Sequence, residues 1–264
     1  MNRAEQASYA YAVCRPFDPG ELDGLTGVGG HPVHLVTRGG LAAVISTVPA
    51  AEFDEQALRT RLEDLRWLEE VARAHHGVVA GVAARSVTAP LRLATVYRSD
   101  DRVREVLDEN AAAFEETLDS LAGRVEFGVK VYAEAARPAR APEPAAPLPG
   151  ESPGKAYLRR RREQRDRRDD TWEKASDLCE RVSLALERHS LARVRHQPQN
   201  AALSESSGEN VMNSAYLVDR GRAAEFVGAV EALAAEAPEG TRVEASGPWT
   251  PYSFASLRTD GEGT

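Results

Sequence analysis

Gly27-Val28-Gly29-Gly30 is the stretch of this chain that most resembles a phosphate-binding loop, because successive glycines let backbone amides approach an anion. The remainder of either fingerprint is missing. No lysine follows as in a P-loop, and no long crossover helix opens at the glycines, so a plain turn is expected. His31 and His34 could share a metal, yet a strand puts residues three apart on opposite faces, and no carboxylate or cysteine cluster completes a shell. His75 and His76 fall where a helix is expected to end, and the dipole alone favours a cationic side chain there. There is no serine elbow, CxxC, HExxH or pair of acids in an evident cleft. No catalytic, metal-binding or cofactor-binding residue is therefore expected. The alternative is an enzyme or small-molecule binder in which the Gly27–Gly30 loop, His31, His34 and Arg92 converge on a pocket.

Two further stretches are suited to contact rather than reaction. Arg159-Arg160-Arg161-Arg162-Glu163-Gln164-Arg165-Asp166-Arg167-Arg168 is polar on every side of a helix, with Arg159–Glu163 and Arg162–Asp166 spaced to pair. A nucleic-acid surface would want stacking aromatics among the arginines, and only Tyr157 and Trp172 bracket the run. A solvated helix or a contact with an acidic partner is expected, with Arg159, Arg160 and Arg162 as contact residues. The other stretch is Gly247-Pro248-Trp249-Thr250-Pro251-Tyr252-Ser253-Phe254. Two prolines fix φ and remove donors, which bars an ordinary central strand or helix. Three aromatics in six positions, in a chain only 6% aromatic, make this a stiff docking device. Trp249, Tyr252 and Phe254 are expected to close the fold and leave an apolar edge for a partner. The plainer possibility is a pinned tail with no other role.

Composition bounds these readings. The 264 residues suffice for two modest domains or one large one, and 42% apolar with 28% charged residues is ordinary for a globular protein. A net charge of −8 argues against general nucleic-acid binding and against an anionic lipid surface. No apolar run spans a bilayer, and the N-terminus lacks a signal-peptide core. Cys14 and Cys179 lie in apolar patterns far apart, as buried free thiols in a reducing cytoplasm would.

Position in the chain then decides what holds these residues. Ser8–Cys14, Val33–Thr37 and Leu41–Val48 read as strands, the last two joined by a turn at Arg38-Gly39-Gly40. Asp54 caps a helix whose inner face is Leu58, Leu62, Leu65, Leu68 and Ala72, ending at His75-His76-Gly77. An ambiguous apolar run (Val78–Val87) and extended chain (Thr88–Tyr97) follow. Ser99 caps a second helix, which Gly123 stops. Arg124–Ala133 alternates as a strand. Residues 137–153 hold six of the fifteen prolines and form a stiff connection. A long helix covers 155–190, with an apolar stripe only in its second half. Ala192–His196, Met212–Val218 and Thr241–Ser246 are strands, and Arg222–Ala237 is a helix. The expectation is an α+β protein of two domains. Residues 1–123 form an α+β sandwich, and 124–264 form a ferredoxin-like βαββαβ domain ending in the aromatic tail 247–254.

The chain also resembles a known family, the gas vesicle protein L/F family (GvpL/GvpF). The likeness rests on the opening Tyr-Ala-Tyr-Ala-Val strand, on Gly40-Leu41-Ala42-Ala43-Val44-Ile45-Ser46, and on Trp67-Leu68-Glu69-Glu70-Val71-Ala72-Arg73-Ala74-His75. It continues in Ala89-Pro90-Leu91-Arg92-Leu93-Ala94-Thr95-Val96, Glu126-Phe127-Gly128-Val129-Lys130-Val131, Asn213-Ser214-Ala215-Tyr216-Leu217-Val218 and the closing octet. The resemblance implies a non-enzymatic accessory protein of gas vesicle assembly, in the cytoplasm or at the vesicle. Its partners would be the small hydrophobic shell protein and other accessory proteins, with no nucleic acid and no membrane. One departure is Leu93-Ala94, where the family usually has Phe-Gly. Alanine takes positive φ only at a cost, so the chain is expected to bend differently there.

Overall fold

The structure is a computed structural model that describes residues 6–61, 63–134, 152–198 and 208–255. The chain divides into two compact units. One runs to Val125 and takes in the segment from Trp249 onward; the other is Glu126–Pro248.

The first unit is organised on β1 (Gln6–Cys14), which is buried along nearly its whole length. It pairs antiparallel with β3 (Leu41–Pro49), and on its other edge with β4 (Thr88–Pro90) and β5 (Val96–Tyr97); β2 (His34–Arg38) lies outside β3. The β2–β3 turn is Gly39-Gly40, and Gly39 has φ +57°, which glycine takes without strain. Alternation gives β1 two different faces. Tyr9 and Tyr11 point towards α3 (Leu65–Ala83) and the short helix α1 (Ala50–Phe53), whereas Ser8 bonds Asp100 at the start of α4 (Asp100–Glu109).

The single helix expected from Asp54 to Gly77 is interrupted, and its second part runs further. After α2 (Glu55–Arg61), Asp64 caps α3, its carboxylate accepting from the Arg66 and Trp67 amides at 3.0 and 3.4 Å. Leu65 is consequently 75% exposed, not inward, and Leu62 lies outside the described residues. Gly77 does not stop the helix. It costs about 1 kcal/mol within a helix, while burying each of Val78, Val79 and Val82 returns roughly 1.5–3 kcal/mol. Burial of the valines outweighs the glycine, so His75 and His76 sit mid-helix and the C-terminal dipole does not explain them. The second expected helix is also divided: Asn110 ends α4 and precedes α5 (Ala111–Leu121). Its N-cap is as expected, Ser99 accepting from the Arg102 amide at 3.3 Å.

The second unit has four strands in the order β7-β8-β6-β9, where β6 is Arg124–Ala133, β7 Ala192–His196, β8 Glu209–Asp219 and β9 Thr241–Trp249. One face of β6 packs on α7 (Ala223–Ala235), with Phe127 stacked on Phe226 at 5.0 Å. α6 (Pro153–Glu187) adds Ala175, Leu178, Val182 and Leu186 to the buried set. The proline-rich connection lies outside the described residues except for its end at Ser152-Pro153. β9 runs beyond Ser246 and includes Pro248. An edge strand tolerates the missing donor where a central one would not. Among the described residues no helix is long and apolar enough to cross a membrane.

Candidate functional site

The sequence brackets its aromatic pieces far apart, and the first unit stacks them into one column. Tyr9 and Tyr11 leave β1 on the same face with ring centroids 4.9 Å apart. Phe53 meets Tyr9 edge-on at 5.6 Å and lies 6.3 Å from Trp67. From α3, His75 meets Tyr9 and Tyr11 at 5.8 and 5.4 Å. The closing segment completes the column: Tyr252 stacks on His76 at 6.1 Å and lies 6.4 Å from His75, and Trp249 meets His76 edge-on at 5.7 Å. Pro251 and Ala255 are buried and Phe254 is half-buried, while Trp249 keeps 45% of its surface exposed.

The Tyr9 and Tyr11 hydroxyls and His75 Nδ1 are tied up inside the column, whereas the buried His75 Nε2 has no hydrogen-bond partner among the described residues. Tyr9 Oη accepts from the Ala94 amide at 3.1 Å and lies 3.0 Å from His75 Nδ1. With the amide donating to that oxygen, the hydroxyl proton is left to point at Nδ1, which requires a neutral imidazole protonated at Nε2. Burial lowers the His75 pKa to about 4, with a weaker opposing pull from the Leu91 carbonyl. Burial also raises the Tyr9 hydroxyl far above its ordinary range. Neither group is poised for proton transfer near neutrality, so the cluster is a structural support.

Ala94 departs from the sequence expectation. It sits third in the Arg92–Thr95 turn, closed by Thr95 N–H donating to the Arg92 carbonyl at 3.2 Å, and has φ +62°. The chain makes the positive-φ bend with an alanine, against strain, and the hydrogen bond to Tyr9 helps to hold it.

The glycine loop turns its amides inward. Val28 N–H donates to Tyr11 Oη at 2.9 Å, and Tyr11 donates in turn to Ser46 Oγ at 2.9 Å. Gly27 N–H bonds the His31 carbonyl, Gly30 N–H that of Gly27, and His31 N–H that of Val28. A Cβ on Gly27 would overlap Tyr11 Oη and Ser46 Oγ, so this glycine is there for close packing. His34 is on the other face of the sheet, 3.3 Å from Asp100, whose second oxygen accepts from Ser8 at 2.6 Å. A serine, a histidine and an aspartate do meet here, but both the others bind the carboxylate. Ser8 gives its proton to Asp100, and no base is placed to activate it. The structure thus does not bring the glycine loop and His34 together, and Arg92 is exposed in its turn. Among the described residues there is no cluster of three or more potential metal ligands. Cys14 and Cys179 are free thiols whose pKa values burial raises to about 12 and about 11.

The arginines stand on the first half of α6, exposed almost all round. Arg159 pairs with Glu163 at 3.0 Å, as its spacing predicts, and Arg168 reaches Glu209 of β8 at 3.4 Å. Tyr9, Phe53 and Trp67 were not singled out as site residues by sequence reasoning, and His75 was read only as a cation at a helix end. Their one visible signal was the pair of tyrosines two positions apart on a strand; the rest is tertiary.

The family model described as gas vesicle synthesis protein GvpL/GvpF matches residues 7–256. Gas vesicle protein L of Streptomyces sp. (strain CB03234) is 47% identical over 96% of this chain and 94% of its own length. Gas vesicle protein F of the same strain is 31% identical over 47% of this chain and 48% of its own. The fold is similar to two crystal structures of GvpF. That from Anabaena sp. PCC7120 has TM-score 0.67 and 18% identity, covering 96% of this chain and 97% of that one. That from Microcystis aeruginosa has TM-score 0.64 and 19% identity, covering 95% and 99%. A mixed fold with two antiparallel sheets, an aromatic closing segment and this match over nearly its whole length lead to one conclusion: the chain belongs to the GvpL/GvpF family of gas vesicle synthesis proteins.

Proposed function

We propose that this chain is a non-enzymatic accessory protein of gas vesicle assembly that binds the hydrophobic shell protein, as a minor component or as an assembly helper beside other accessory proteins. The observation that carries the reading is Trp249, 45% exposed on a segment whose neighbours Pro251 and Ala255 are buried. An aromatic held this way offers apolar area to a partner and has little freedom left to lose on binding. Tyr252 and Phe254 border it, and Arg159, Arg160 and Arg162 add charge contacts. In this reading the strand order of the second unit is that of a ferredoxin-like sheet, whose edges β7 and β9 suit strand addition. Amides consumed within the Gly27–Gly30 loop speak against the small-molecule alternative.

Capture of purified shell protein on the immobilised chain is the test. The Trp249→Ala/Phe254→Ala double variant, shown folded by circular dichroism, is expected to lose most of the capture. Undiminished capture by that variant removes the tail from the site.

A further inference from the structure

α6 separates its charges along its length. Lys155–Arg168 holds eight basic residues and two acidic ones, and Asp169–Glu180 holds five acidic residues and one basic one. The buried side of the helix is Ala175, Leu178, Val182 and Leu186. A stripe centred roughly 150° round the helix from that side, at about 100° per residue, carries Leu158, Arg162, Asp166, Asp169, Glu173, Glu180 and Leu184, with Arg165 and Asp177 on its two flanks. All are exposed, and the two leucines that end this stripe are 66% and 65% exposed. Among the described residues Arg162, Arg165, Asp177 and Glu180 make no ion pair within the chain. At about 1.5 Å per residue the stripe extends for about 39 Å.

Such a stripe complements itself in one direction only. Laid parallel, two copies would oppose like charges in both halves. Laid antiparallel about a two-fold axis near Thr171, Leu158 meets the partner's Leu184, Arg162 the partner's Glu180, and Arg165 the partner's Asp177. We propose that α6 pairs antiparallel with α6 of a second copy of this chain, giving an isologous dimer. A polyanion would match the basic half and be repelled by the acidic half and by the chain's net charge of −8. An acidic helix would match one half only. The fit is imperfect at its centre, where Asp169 meets the partner's Glu173. Exposed pairs are individually weak and screened by salt, so the dimer forms at low ionic strength and dissociates as salt rises. The proposal shares Arg162 with the proposed shell-protein contact but is tested apart from it, because its test uses this chain alone.

Sedimentation equilibrium of the full chain at low and high salt gives the first readout: dimer at low salt, monomer at high salt. Two charge-reversed variants sharpen it, Arg162→Glu/Arg165→Glu and Asp177→Arg/Glu180→Arg. Each alone is expected to dissociate at least tenfold more readily than the natural chain. Their equimolar mixture is expected to recover dimer, since every pairing of 162 with 180 and of 165 with 177 is then of opposite sign. Recovery in the mixture also shows that both variants are folded. A chain that stays monomeric at sub-millimolar concentration and low salt overturns the proposal. So do variants that dimerise like the natural chain, or a mixture that stays monomeric while both components retain native circular dichroism. A mobility shift of duplex DNA at low salt that Arg162→Glu/Arg165→Glu abolishes would assign the stripe to nucleic acid instead.

Discussion

Ala94→Gly is expected to stabilise the first unit. At φ +62° an alanine pays a steric cost that glycine does not, roughly 1–2 kcal/mol. Glycine also loosens the unfolded chain, which takes back about 0.4–1 kcal/mol. The balance is a gain of about 0.5–1 kcal/mol, or a rise in Tm of about 1–4 °C for a unit of this size. The amide that reaches Tyr9 Oη at 3.1 Å is backbone, so the substitution leaves that bond in place. The assay is urea unfolding followed by tryptophan fluorescence in a Trp172→Phe background. This leaves Trp67 and Trp249 as reporters, both in the first unit. Ala94→Val supplies the opposite arm: a β-branched residue in the same conformation is expected to lower stability by more than about 1 kcal/mol. If glycine leaves the midpoint unchanged or lowers it, or if valine is tolerated, the positive-φ turn is not where the structure puts it.

Three other outcomes follow from the same geometry. Because the His75 pKa is lowered to about 4 when folded, the unfolded chain takes up its proton first as pH falls below about 6.5. Stability is lost between those values, by on the order of 3 kcal/mol, and levels off below pH 4; His75→Gln should flatten the profile in that window when unfolding is measured at stepped pH. Gly27→Ala is expected to cost about 1–3 kcal/mol in denaturant unfolding, because the added methyl displaces Tyr11 or Ser46. Gly77→Ala, at an exposed helical position with open space around its Cβ, is expected to gain about 0.5–1 kcal/mol in the same assay.

What the sequence made legible was whatever depends on local pattern. β1 and β6 showed as strands, the second by its alternation, Gly39-Gly40 as a hairpin turn, and Ser99 and Asp54 as caps, because each is set by a few adjacent residues. The reach of α3 was hidden because Gly77 is a stop signal locally. Only the buried contacts of Val78, Val79 and Val82 override it, and those are tertiary. Asp64 went unread as a cap because the leucines on both sides kept helical spacing across it. Ala94 shows the converse: propensity argued against the bend, and the partner that stabilises it, Tyr9, is 85 residues away. The arginine helix was legible as charge, but its solvent-facing stripe became definable only once Leu178 and Val182 fixed which side is buried.

The proposed contact between the closing segment and the shell protein can be read directly from Trp249. In a Trp67→Phe/Trp172→Phe background Trp249 is the sole indole, and it is 45% exposed. Titrating purified shell protein into that variant should shift the emission to shorter wavelength and protect it from iodide quenching, with saturation. Emission and quenching that stay unchanged while the shell protein is demonstrably bound would place the contact away from the closing segment.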